Sequence, residues 1–202
     1  MLKENCLNEG MYNLSKVGNI VQLLIISICM FLIPLVVPTM LDAVFGAESV
    51  IATNSQYVVG ALVNTALITA ALAVKGWKNI VALVTVPSIS ALTSGLVLNI
   101  SSIFTVYMIP AIWLGNLAII YAIKYLYVKK NVNYIASAIV GILVKGALIF
   151  GGFNLLTMLV QMPAPVQTML STAMGINQVI TAAVGSILAY GTVKLLYKNK
   201  QA

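Results

Sequence analysis

Long apolar runs, separated by short polar breaks, occupy almost the whole chain. They lie at residues 17–41, 57–74, 80–98, 103–123, 132–160 and 166–193. Each is close to or above the roughly 20 apolar residues that a bilayer-crossing helix needs. A membrane barrel would instead alternate polar and apolar positions in segments of about ten residues; here the runs are apolar on both parities. The pattern predicts an all-α integral membrane protein with six transmembrane helices. Pro34, Pro38, Pro87 and Pro110 fall inside the runs. They do not argue against helices, because neighbouring helices in a bundle satisfy the carbonyls that proline frees. Gly, Ala, Ser and Thr are frequent within the runs, as close helix packing in lipid favours.

The organisation that follows is a polar leader at 1–16, a single six-helix membrane domain at 17–197 and a tail at 198–202. The leader does not read as a cleaved signal peptide, since the apolar run after it is too long for a signal core. Leu7, Met11 and Leu14 would share one face of a short interfacial helix, and a disordered leader fits equally well. No long internal repeat is visible, and the prolines do not pair up as they do in the two halves of inverted-repeat carriers.

Composition agrees with the pattern. Of 202 residues, 61% are apolar and 7% charged, far too little charge to cover a soluble domain. The net charge of +7 arises from eleven lysines and no arginine, scattered rather than gathered on one basic face, so nucleic acid is not an expected partner. The lysines instead assign an orientation. Ten of them (Lys3 and Lys16; Lys75 and Lys78; Lys124, Lys129 and Lys130; Lys194, Lys198 and Lys200) fall on one side of an even-spanning topology. The loops at 42–56, 99–102 and 161–165 contain none. By the positive-inside rule both termini are cytoplasmic and the protein sits in the cell membrane. The 42–56 loop carries Asp42 and Glu48, and its length suits a cap as well as a plain connector.

The eleventh lysine, Lys145, stands about a dozen residues into the fifth span, roughly 18 Å along the helix at 1.5 Å per residue. A charge at that depth costs several kcal/mol unless it meets a cavity or a partner. No acid lies inside any predicted span, so a bound anion, carbonyl groups or water must serve. Other polar residues gather in the predicted outer halves of the later spans: Tyr107, Trp113 and Asn116 in the fourth, Asn154 and Gln161 in the fifth, Gln167, Thr172, Asn177 and Gln178 in the sixth, with Asn99 at the end of the third. A small-molecule pocket needs apolar and aromatic walls with a few placed polar groups, and this set can build one. Interhelical hydrogen bonding accounts for any one of them singly.

Enzymatic readings fail on missing groups. Without histidine, and without a carboxylate inside any span, the usual serine and aspartyl intramembrane hydrolases lack their bases, and zinc lacks its ligands. There is no P-loop for ATP and no Asp, Glu or His proton relay. Cys6 and Cys29 have neither metal-ligand spacing nor the setting for a disulfide. A binding, translocating or scaffolding protein remains, with no cofactor of its own.

Two stretches carry a family likeness. Tyr107-Met-Ile-Pro110-Ala-Ile-Trp113-Leu-Gly115-Asn116 opens the fourth span, and Met174-Gly175-Ile-Asn177-Gln178 followed by Ala182-Ala183-Val-Gly185-Ser186 forms the sixth. With its size, six spans and polar outer halves, the chain resembles the S-components of energy-coupling factor (ECF) transporters, membrane subunits that capture vitamins and related micronutrients. It departs from them in the first span, where an Ala-x-x-x-Ala pattern is common and Ser27 and Cys29 are the only small residues near the middle. The resemblance implies an ECF-type bundle that binds substrate from outside and topples to release it inward. Its partners would be membrane lipid, a transmembrane coupling subunit and two ATPase subunits that use the ATP. It also implies a substrate site in which Lys145 meets a carboxylate or phosphate, Trp113 and Tyr107 stack on a ring, and Asn116, Asn154, Gln161, Asn177 and Gln178 read polar edges. Two other readings fit the same residues: a stand-alone channel or facilitator, and a non-transport membrane scaffold.

Overall fold

The computed structural model describes residues 16–74, 77–94 and 103–198, and all secondary structure among them is helical. The leader before Lys16, the 99–102 loop with Asn99, and the tail beyond Lys198 lie outside the described residues. The helices are α1 (Lys16–Phe45), α2 (Val50–Thr53), α3 (Ser55–Ala73), α4 (Trp77–Leu83), α5 (Val86–Ser94), α6 (Ile103–Ala122), α7 (Tyr134–Leu159), α8 (Ala164–Met174) and α9 (Ile176–Lys198). A π-helical segment, Ile123–Lys129, prolongs α6.

Among the described residues, five stretches are long and apolar enough to cross a membrane: Val17–Phe45, Ser55–Ala73, Ile103–Lys129, Tyr134–Leu159 and Ala164–Leu195. The run expected at 80–98 is two shorter helices, α4 and α5, separated by turns at Val84 and Thr85. The run expected at 166–193 is likewise two helices, parted at Gly175. The longest run, at 132–160, stays one helix through Gly151 and Gly152. Many large apolar side chains face outward, including Ile20, Leu24 and Ile28 on α1, Leu143 on α7 and Ile187 on α9. A surface of that kind suits lipid rather than water.

Local signals set the element ends. Gly46 takes φ +84° and its N–H returns to Asp42 O at 3.0 Å, closing α1 where a side chain would be strained. Ser49 Oγ accepts from Ala52 N at 3.1 Å to start α2, and Asn133 Oδ1 accepts from Ile135 N at 2.8 Å to start α7. Asn131, at φ 55°, follows the π-helical segment, in a conformation that asparagine tolerates better than most residues.

Glycines bring the helices together. A Cβ on Gly115 of α6 would lie 2.6 Å from Ile149 Cγ1 and 3.2 Å from Lys145 O, and one on Gly152 of α7 would meet Ala111 Cβ. These contacts run in opposite order along α6 and α7, which are therefore antiparallel. A Cβ on Gly60 of α3 would sit 2.8 Å from Thr181 Cγ2, and one on Gly185 of α9 would sit 2.5 Å from Asn64 Cβ and 2.9 Å from Ala61 O. Those contacts keep the same order, so α3 and α9 are parallel. Small residues allow such approach, and dispersion and interhelical hydrogen bonds then hold the helices without a hydrophobic driving force.

The apolar interior is divided in two. One cluster joins Met30, Leu67, Leu72, Ile80, Ile119, Ile123, Ala138, Ala182 and Val193. The other joins Met108, Ile149, Phe153, Leu156, Val166, Leu170 and Met174. Along α6, α7 and the α8–α9 pair, the buried side chains between the clusters are polar: Asn116, Lys145, Asn177 and Thr181. The far end of the first cluster is aromatic and basic. Tyr134 stacks on Tyr190 with centroids 4.5 Å apart, its hydroxyl donates to Ser186 O at 2.7 Å, and Lys129 and Lys130 lie over the Tyr125 ring. Lys124, counted above among loop lysines, is fully buried at this end. It donates to Ala71 O at 3.2 Å and Val74 O at 2.9 Å, so a cation caps the C-terminus of α3.

Candidate functional site

Lys145 sits midway along α7, on the side turned toward α3 and α6, and is 2% exposed. Its Nζ donates to Asn64 Oδ1 at 2.5 Å and to Asn116 Oδ1 at 2.8 Å. The close approach at Gly115 brings α6 near enough for Asn116 to reach. Asn64 is held in turn: its Nδ2 donates to Gly60 O at 2.8 Å and faces Thr181 Oγ1 at 3.4 Å, while Thr181 donates to Asn177 O at 2.7 Å. Both amides thus turn their carbonyl oxygens to the lysine, the only groups on them that can accept from it.

These residues form part of the wall of a cavity of about 150 Å³ bounded by α1, α3, α5, α6, α7, α8 and α9. Pro34, Val59, Val63, Pro87, Ile112 and Met174 supply apolar wall, and Gln56, Asn64, Ser88, Asn116, Lys145, Asn177, Gln178 and Thr181 supply polar groups. Two polar atoms on this wall are buried and have no hydrogen-bond partner, Ser88 Oγ and Asn177 Nδ2. Asn177 is oriented by Tyr57, whose hydroxyl donates to Asn177 Oδ1 at 2.7 Å, which leaves the amide nitrogen as the unpaired end. An unsatisfied buried polar atom costs about 1–3 kcal/mol, so each marks a place where a partner is missing.

Of the residues singled out from the sequence, Lys145, Asn116, Asn177 and Gln178 come together on this cavity. Tyr107, Trp113, Asn154 and Gln161 do not line it. Tyr107 is 49% exposed and Trp113 37% exposed on the outside of α6. Asn154 Nδ2 donates back to Phe150 O at 3.0 Å within α7. Gln161 is exposed in the connection between α7 and α8. For Tyr107 and Asn154 helical phase is the reason. Tyr107 precedes Asn116 by nine residues, and Asn154 follows Lys145 by nine; at about 100° per residue that is about half a turn round, onto the opposite face. No aromatic ring stands among the described cavity-lining residues, and the expected stacking residues Tyr107 and Trp113 are not part of this wall.

The sequence reading passed over Asn64, Ser88 and Thr181. Asn64 had a signal: it is an amide inside an apolar run, subject to the same burial argument that drew attention to Lys145. Ser88 and Thr181 had none, since hydroxyls in membrane helices usually bond to their own backbone four residues back, as Ser186 does to Ala182 O.

The fold and site together define a helical membrane bundle with a polar, lysine-containing cavity between two apolar cores. Comparison with known protein families, curated proteins and solved structures finds no match for this chain.

Proposed function

We propose that this chain is the substrate-binding subunit of an ECF-type importer, capturing a small micronutrient from outside for ATP-driven uptake. In this reading it crosses the membrane six times, α4 and α5 together making the third pass, with both ends cytoplasmic. The carrying observation is the cavity where Lys145 is shared by Asn64 and Asn116 while Asn177 and Ser88 keep unpaired polar atoms. Unpaired buried atoms also occur away from the cavity, at Gln22 and Thr105; what favours a binding site is that two of them, with Lys145, converge on one cavity. The directions of α3, α6, α7 and α9 agree with the alternation that six passes require. The Lys129, Lys130 and Lys194 side chains gather with tyrosines at one end, as at a cytoplasmic interface. A coupling subunit and two ATPases supply the energy, and this chain binds no cofactor.

The test is transport in proteoliposomes. Uptake of whatever small molecule co-purifies with the chain is expected only when coupling and ATPase subunits are present, and only with ATP inside the ATPase-facing compartment. Flux through the chain alone makes it a facilitator instead. Absence of any bound small molecule by mass spectrometry, with no uptake, returns it to a scaffold.

A further inference from the structure

The unpaired groups on the cavity wall define what the ligand must offer. Lys145 is a donor only; protonated, it carries three N–H bonds, and its two acceptors here are Asn64 Oδ1 and Asn116 Oδ1. Asn177 Nδ2 is a donor, and Tyr57 holds the amide so that it stays one. Ser88 Oγ is a hydroxyl with no partner. These three stand on three different helices, α7, α9 and α5. Among the described residues the carboxylates are Asp42 and Glu48, and neither lines the cavity. Among the described residues the wall thus offers one basic side chain, an unpaired amide donor and an unpaired hydroxyl, and no protein anion answers them.

We infer that the ligand is a compact monoanionic carboxylate of about single-ring size, which takes its charge partner from Lys145 and a further hydrogen bond from Asn177 or Ser88. This deepens the proposed role as a binding subunit and rests on it. One lysine balances one carboxylate. A phosphate, at about −1.5 to −2 near neutral pH, would leave excess negative charge inside an apolar bundle. The 150 Å³ of space has room for a single ring, since a cavity of about that volume accommodates benzene. An apolar ring fits the Val59, Val63, Ile112 and Met174 side of the wall.

The probe set is pyridine-3-carboxylate, benzoate, pyridine-3-carboxamide and inorganic phosphate, titrated by calorimetry against the full chain in lipid nanodiscs. Pyridine-3-carboxylate is expected to bind at least tenfold tighter than its carboxamide, which is about 1.4 kcal/mol. It is also expected to bind tighter than benzoate, which lacks the second acceptor, and phosphate is expected not to bind. Lys145→Met is expected to bring the carboxylate down to the level of the carboxamide. Because that variant removes a buried partner of two asparagines, Asn177→Asp is the second arm. It keeps the acceptor that Tyr57 uses, replaces the unpaired donor by an anionic acceptor, and is expected to lower carboxylate affinity at least tenfold while leaving carboxamide binding within about twofold. The assignment is overturned if the carboxylate does not bind, if carboxamide or phosphate binds as tightly, or if Asn177→Asp moves both ligands together or neither. Carboxylate selectivity without ATP-driven uptake overturns the importer reading alone; ATP-driven uptake of a neutral or cationic substrate overturns this assignment alone.

Discussion

Replacing Asn64 by Leu is the sharpest probe of the buried network. The change keeps side-chain bulk near Gly185 and deletes the acceptor that lies 2.5 Å from Lys145 Nζ. An ordinary hydrogen bond between membrane helices contributes about 0.6 kcal/mol in double-mutant cycles, whereas bonds from charged donors contribute about 1.5–3 kcal/mol. Lys145 is 2% exposed, and Asn116 is the side-chain acceptor that remains to it. The single substitution is expected to cost about 2 kcal/mol. In a cycle with Lys145→Met the double variant should be less damaged than the sum of the singles, with a coupling energy of about 1–2 kcal/mol. Unfolding in mixed micelles, followed by fluorescence of the two tryptophans, measures all four corners. A coupling energy within the roughly 0.5 kcal/mol expected of independent sites would refute the claim that Asn64 holds the lysine.

Three further outcomes are expected. Gly185→Ala drives a Cβ into Asn64 Cβ and the Ala61 carbonyl and should cost about 1–3 kcal/mol, while Gly151→Ala meets nothing within 4 Å and should be neutral or stabilising by up to about 1 kcal/mol; the same unfolding assay compares them. Lys124→Met leaves the Ala71 and Val74 carbonyls without their cation and should destabilise by about 1–3 kcal/mol with ligand affinity unchanged, so a loss of affinity at full stability contradicts the capping role. In a background with Cys6 and Cys29 changed to Ser, an impermeant maleimide should label Asn131→Cys only from the cytoplasm and Gln161→Cys only from outside. Labelling of both from one face excludes the six-pass topology.

The candidate site was half legible in the linear chain. Lys145 announced itself because ten lysines obey one topological rule and it does not. Asn116, Asn177 and Gln178 were picked out as amides in apolar surroundings, and the same criterion applied to 57–74 finds Asn64. Asn154 met that criterion too, yet it and Tyr107 are each nine residues from a cavity-lining neighbour and face away. Which residues share a face follows from spacing, but which face is turned inward depends on the neighbouring helices.

The sequence by itself determined that the chain is helical and built for lipid, because runs of about 20 apolar residues can satisfy their backbone only as helices there. It also determined that one cation must be buried among them. Tertiary structure decided the rest. The close approaches at Gly115 and Gly185 chose the two asparagines that share Lys145. The turns at Val84 and Thr85 divided one expected span into α4 and α5. The π-helical segment after α6 includes Lys124, which is turned into the bundle to cap α3. Each depends on how closely one backbone lies against another, a quantity set by contacts between residues tens of positions apart and invisible along a single helix.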